Sequence, residues 1–154
     1  MIQTDVLVIG AGPSGTVAAA LIRKAGFDVR IVEKQQFPRF VIGESLLPRC
    51  LDALEEAGFM EALQQQNFQV KSGAKFDRKG DICDFTFEKQ FTDGRKSAWQ
   101  MPRADFDKTL ADECERMGIP VAYRNEVTAI DISADGSSIT TVKDEHDEVY
   151  QIKA

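Results

Sequence analysis

No run of apolar residues in this sequence comes near the ~20 needed to cross a bilayer. The apolar segment Val6 to Ile9 also starts the fold too directly to be a cleaved signal. A membrane span is thereby set aside, and the chain is expected in the cytoplasm. Histidine is nearly absent, His146 standing alone in a polar stretch. The three cysteines, Cys50, Cys83 and Cys114, are far apart with no Cys-x-x-Cys pair. Neither residue type has the spacing of metal ligands, so no metal site is expected. Positive charge is short as well: 19 Lys and Arg face 25 Asp and Glu, a net charge of −6, and no basic run exceeds two residues. A nucleic-acid surface, which needs clustered cations, is excluded, and nothing supports binding to a membrane surface.

What is present is ordinary for a globular protein: 154 residues, 43% hydrophobic and 29% charged, enough to bury a core as one domain, 1–154. Residues 4–9 read as a strand, 13–25 as a helix and 28–33 as a strand, a βαβ unit with a right-handed crossover. Residues 35–43 have no clean period and read as a loop. Ser45 is the expected cap of a second helix that carries Leu47, Leu51 and Leu54 and stops at Gly58. Residues 70–100 alternate in short runs, Val70 to Phe76, Ile82 to Phe87 and Ser97 to Met101, separated by turn residues. A third helix carries Phe106, Leu110, Cys114 and Met117 on one face and ends at Gly118. After the short strand Pro120 to Tyr123, the tail alternates through residues 127–132, 139–143 and 148–153 as an antiparallel meander. Cys50 and Cys114 fall on the apolar faces of these helices and are expected to be buried as small hydrophobes. The fold class is therefore α/β, Rossmann-like, with a parallel sheet joined by antiparallel β-meander insertions.

Chemistry concentrates at Gly10-Ala11-Gly12-Pro13-Ser14-Gly15, between the strand Val6 to Ile9 and a helix of small residues. Gly10 permits a tight turn, Gly12 lets backbone amides approach a diphosphate, and Gly15 lets the helix pack closely on the strand. Pro13 suits the first helical turn. A diphosphate then lies at the positive end of the helix. Glu33 ends the second strand, 18 residues after Gly15, about where an acid accepts hydrogen bonds from an adenosine ribose; Lys34 follows it.

Three blocks resemble the flavin-dependent monooxygenase, halogenase and geranylgeranyl reductase superfamily, built on the p-hydroxybenzoate hydroxylase type of FAD fold. The first is the glycine fingerprint with Glu33. The second, Phe37-Pro38-Arg39-Phe40-Val41-Ile42-Gly43-Glu44-Ser45-Leu46-Leu47-Pro48, is similar to the Pro-Arg-x-x-Ile-Gly-Glu-Ser segment of flavin-dependent halogenases. The third, Met101-Pro102-Arg103-Ala104-Asp105-Phe106-Asp107 with Leu110, is similar to an Arg-x-x-Phe-Asp-x-x-Leu segment of the superfamily. The resemblance runs from about residue 4 to the end and selects FAD as cofactor. It implies cofactor contacts at Gly10, Gly12, Pro13, Ser14, Gly15, Glu33, Lys34, Arg39, Gly43, Glu44, Ser45, Arg103 and Val127, with the loop from Arg39 to Ser45 along the flavin. Arg103 also has a reading of its own. A cation at a helix start opposes the macrodipole unless an anion is near, and both a cofactor phosphate and the local carboxylates Asp105 and Asp107 qualify.

The resemblance further implies an oxidoreductase acting on a small-molecule substrate, with electrons from NAD(P)H or from a separate flavin reductase. Lys71 lies on a stretch similar to the halogenase strand whose lysine receives hypohalous acid. The same lysine on an alternating strand is otherwise simply solvent-facing. Later family motifs and a substrate domain are not in the sequence, so the chain is expected to be the amino-terminal portion of such an enzyme, with weak FAD binding and an exposed sheet edge. Two alternatives stay open: an NAD(P)-dependent oxidoreductase, which leaves the block from Arg39 to Pro48 unexplained, and a non-catalytic nucleotide-binding fragment.

Overall fold

Val6 to Ile9 and Val29 to Val32 are rich in β-branched residues, the composition of strands covered on both faces, and the small residues between them let a helix lie close on the sheet. The computed structural model describes residues 1–154. In chain order its elements are β1 (Ile2–Gln3), β2 (Val6–Ile9), α1 (Pro13–Lys24), β3 (Val29–Glu33), α2 (Pro48–Ala57), α3 (Met60–Gln65), β4 (Gln69–Lys71), β5 (Gly73–Arg78), β6 (Asp81–Thr86), β7 (Ala98–Gln100), α4 (Arg103–Arg116), β8 (Val121–Tyr123), β9 (Glu126–Ile132), β10 (Ser138–Lys143) and β11 (Val149–Lys153).

The βαβ unit places β3 at the centre of a parallel sheet of order β2-β3-β8. Val29, Ile31, Val32 and Glu33 of this strand are buried. Thr16, Ala19 and Ala20 of α1 are fully buried, so the helix meets its neighbours through small side chains. The Thr16 hydroxyl donates within its own helix start, to the carbonyls of Gly12 and Pro13, so its burial leaves it satisfied. Phe106, Leu110 and Cys114 of α4 complete this core with Leu51 and Leu54 of α2. Burying each such leucine or phenylalanine contributes about 1.5–3 kcal/mol.

A second sheet, of order β1-β11-β10-β9, is antiparallel except for the parallel pairing of β1 with β11. The α/β class and the combination of a parallel sheet with a meander are as the sequence implies. Strand limits differ in instructive ways. The strand expected over residues 4–9 is shortened to Val6–Ile9, and a separate strand not anticipated, Ile2–Gln3, pairs with the tail. The Asp5 carboxylate, between the two, accepts the Asp28 N–H at 2.8 Å. The strand expected from Val70 to Phe76 is two: β4 pairs with β7 and β5 with β6, and the chain changes partner at Ser72.

Two further expectations are corrected. Ser45 does not cap α2. The helix starts at Pro48 with Leu47 in the cap position, since proline at the first helical residue needs no amide partner, and Ser45 instead forms an isolated bridge with Gln100. Cys50 is exposed. It lies one residue, about 100° of helix, away from the Leu51 and Leu54 stripe. The six-residue helix α3, not anticipated, docks through the fully buried Leu63.

Cys114 alone among the thiols is buried, and burial pushes its pKa up to about 12. A raised thiol pKa gives stability that is present below the ordinary value near 8.5 and is lost as pH climbs toward the folded one. Two thiols, Cys50 and Cys83, are therefore expected to react with a thiol reagent at neutral pH, and the third only after unfolding. Prompt modification of all three in the native protein would contradict this packing.

Candidate functional site

The parallel strands β2 and β3 end side by side, and the glycine turn and Glu33 are brought together there. Gly10 has φ of +99°, a conformation that favours glycine, and its N–H donates to the Val32 carbonyl at 2.8 Å. Gly12 takes the cap position of α1 in extended conformation with Pro13 at the first helical residue, while Ser14 is exposed in the first turn. A Cβ on Gly15 would stand 2.0 Å from the Gly10 carbonyl oxygen, so this glycine is demanded by the approach of helix to strand.

Glu33 is 5% exposed. One carboxylate oxygen accepts the Ala11 N–H at 2.9 Å and the other accepts the Gln35 N–H at 2.9 Å. A carboxylate has about four acceptor sites, so roughly two remain for hydroxyl donors. Glu33 and Gly10 face a cleft of about 360 Å³ whose walls also include Lys34, Arg39, Asn125 and Val127.

Of the second block Arg39 reaches this cleft, while Glu44 lines a separate one together with Arg103. Arg39 lies over the Phe37 ring, 4.6 Å from its centroid, with Nη2 3.5 Å from Asp107 and 4.0 Å from Glu33. Its Nε is buried without a hydrogen-bond partner, and the Nη2 lies 3.6 Å from where a Cβ on Gly12 would be. Gly43, at φ of +118°, accepts from Arg103 Nη1 at 3.4 Å, and its N–H donates to the Glu44 carboxylate at 3.2 Å. Arg103 opens α4 and donates twice to Asp107, at 2.7 and 2.9 Å; of the two local carboxylates it therefore pairs with Asp107. Asp107 is fully buried between the two arginines.

Lys71 stands apart from the cleft. Its ammonium donates to Ser45 Oγ at 2.5 Å and lies 5.2 Å from the Phe87 ring centroid. Three features escape sequence reasoning: Asp107 as common partner of two arginines, Asn125 as a cleft wall, and Tyr150 hydrogen-bonded to Asn125. An acid in a first helical turn reads as a complement to the macrodipole, and Asn125 belongs to no period.

These residues fit a dinucleotide carrying a diphosphate. An exposed helix start, two neighbouring guanidiniums, one with an unpartnered buried N–H, and a carboxylate with free acceptor sites converge on one end of the sheet. A family model described as an FAD binding domain matches residues 3–154. The chain belongs to this FAD-binding family. Among solved structures, this FAD-binding domain is similar to a flavoprotein/dehydrogenase from Cytophaga hutchinsonii, at 56% identity and a TM-score of 0.93, over 99% of this chain and 37% of that one. It is also similar to the chondrochloren halogenase CndH, at 27% identity and a TM-score of 0.89, over 100% of this chain and 36% of that one. Among curated proteins it is 36% identical to the flavin-dependent halogenase armH3 of Armillaria mellea, over 89% of this chain and 27% of that protein. The domain thus spans about a quarter to somewhat over a third of the length of these relatives. No helix is long and apolar enough to cross a membrane.

Proposed function

We propose that this chain, residues 1–154, is the FAD-binding part of a flavoprotein oxidoreductase of monooxygenase or halogenase type that acts on a small organic substrate. The observation that carries the reading is the convergence of the Gly10 to Gly15 turn, Glu33 and the Arg39 and Arg103 pair at one end of the parallel sheet. FAD, when bound, supplies the redox chemistry. The backbone amides after Gly12 hold the diphosphate at the helix start, with Pro13 and Ser14 in the same turn and Arg39 and Arg103 adding cationic donors. Glu33 would accept from the ribose, with Lys34 and Val127 lining the same cleft, and Gly43, Glu44 and Ser45 would hold the flavin side, as the resemblance implies. Electrons come from NAD(P)H or a partner flavin reductase. Three unpaired cysteines suit a reducing cytoplasm.

Absorbance tests the reading directly: after equilibrium dialysis against FAD, the protein side should hold excess flavin, read at the chromophore's bands of about 375 and about 450 nm. Glu33→Gln removes the charge but keeps an acceptor for one amide. Hydrogen bonds to charged groups contribute about 1.5–3 kcal/mol, so FAD affinity should fall roughly 10- to 100-fold by titration calorimetry. An unchanged affinity would remove Glu33 from the cofactor site.

The relative described as a flavoprotein/dehydrogenase favours a second reading, a dehydrogenase driven by NAD(P)H. Lys71 separates the two, since this β4 residue, hydrogen-bonded to Ser45, is the catalytic candidate of the halogenase reading alone. Lys71→Met should abolish halide incorporation into substrate while FAD binding stays within about twofold. Turnover with NADPH that is indifferent to this change supports the dehydrogenase.

A further inference from the structure

One wall of the cleft runs from Asn125 into β9 of the other sheet, where Glu126 and Val127 pair with Lys143 and Val142 of β10, while Asn125 lies just before that strand. The chain leaves the three-residue strand β8 through Arg124, whose φ of +56° turns it out of the parallel sheet and into β9. Asn125 follows at once and stands on the cleft wall beside Val127. Three hydrogen bonds locate it. Its backbone N–H donates to the Glu33 carbonyl at 3.0 Å. Its Nδ2 donates to the Tyr123 carbonyl at 2.7 Å, and its Oδ1 accepts from the Tyr150 hydroxyl at 2.7 Å. The first two tie Asn125 to the parallel sheet. The third comes from β11, in the meander, and from a residue that does not itself line the cleft.

We infer that Tyr150 is a positioning residue for the nucleotide cleft: acting through the Asn125 amide, its phenol holds the wall from Asn125 to Val127 at a fixed separation from Glu33. This inference rests on the reading of the cleft as the site of the adenosine half of FAD. Half-burial also favours the neutral phenol, so the donor persists at neutral pH. The amide has one partner at each end, a carbonyl at Nδ2 and a phenol at Oδ1, which fixes its orientation, and a wall held in one orientation loses less freedom when a ligand binds.

The test uses the whole chain with FAD and ADP as separate probes, ADP reporting the adenosine half without the flavin. Tyr150→Phe keeps the ring and removes one hydroxyl. It should weaken both FAD and ADP about tenfold, the equivalent of one hydrogen bond. Asn125→Ala removes the acceptor and should weaken both by at least as much. The double variant should be no weaker than Asn125→Ala alone, because the two residues act through one contact. Ile152→Val, in the same strand and fully buried, is the control: it should lower Tm with both affinities unchanged. If Tyr150→Phe lowers Tm in the manner of that control while FAD and ADP bind within twofold of wild type, the phenol is structural and the inference fails. If Tyr150→Phe does not fold, Asn125→Ala decides the matter by the same criterion. Glu33→Gln read in parallel keeps the two questions apart: an effect there with none at Tyr150 overturns the positioning role alone. No effect at either site, or no binding of FAD by the unaltered chain, overturns the nucleotide reading with it.

Discussion

Gly15→Ala is expected to lower Tm by about 6 to 12 °C and FAD affinity by more than tenfold, as overpacking of about 3 kcal/mol would in a domain of this size. The added Cβ would stand 2.0 Å from the Gly10 carbonyl oxygen, 3.2 Å from its carbon and 3.3 Å from Val8 Cγ1. A flexible side chain could swing aside, but a backbone carbonyl has nowhere to go. Gly10 is pinned by the hydrogen bond from its N–H to Val32, at the far end of β3, and β3 is the central strand of the sheet. Relief therefore requires α1 to lift from β2 at its first turn, where Gly12 and Pro13 set the direction of the free amides. Stability and cofactor affinity fall together because one clash moves both. Gly12→Ala is the informative contrast. Its Cβ would meet only Arg39 Nη2, at 3.6 Å, an ordinary contact, so Tm should move little while FAD affinity drops through crowding of the amides. Thermal shift with and without FAD measures both quantities. A Gly15→Ala protein within about 2 °C of wild type and with unchanged affinity would show that the close approach of helix to strand is not required.

The glycine turn, α1 and β3 are legible in the sequence because each rests on a local rule. A buried strand shows a continuous apolar run, and a helix that must lie close to it shows glycine and alanine. The meander is legible for a similar reason, its strands being short alternating segments around the turn at Asp135 and Gly136. What is not legible depends on contacts between distant segments. Whether Ser45 caps a helix is decided by Gln100, which takes Ser45 into a bridge and lets α2 begin at Pro48. The break at Ser72 is decided by β7, which claims β4 while β6 claims β5. The helix α3 is too short to signal itself and stands because Phe59 and Leu63 are fully buried. At the site, the glycines, Glu33 and the two arginines are named by their motifs. The fact that joins the motifs is not: residues 39 and 103 share one buried carboxylate, and no spacing along the chain encodes that.

Asp107→Ala is the change for which that shared carboxylate predicts the second large effect. Asp107 is fully buried, accepts two hydrogen bonds from Arg103 and faces Arg39 Nη2 at 3.5 Å. The two arginine side chains are themselves only 15% and 16% exposed, so they cannot recover in water what they lose in the protein. Breaking a buried ion pair by removing one partner costs about 3–5 kcal/mol, most of it the penalty of an uncompensated charge. Tm should accordingly fall by about 6 to 20 °C. Because Arg103 also reaches the Gly43 carbonyl, amide exchange in residues 39–44 should quicken beyond what the fall in global stability explains. The sign of a second substitution separates this electrostatic account from simple loss of packing. Adding Arg103→Met to Asp107→Ala removes a stranded buried cation and should recover part of the lost Tm, although it deletes still more native contacts. FAD affinity should not recover with it, since the cation near Gly43 is then gone. If the double variant is less stable than Asp107→Ala, the carboxylate acts through packing, and the linkage of Arg39 to Arg103 is not what holds the loop against α4.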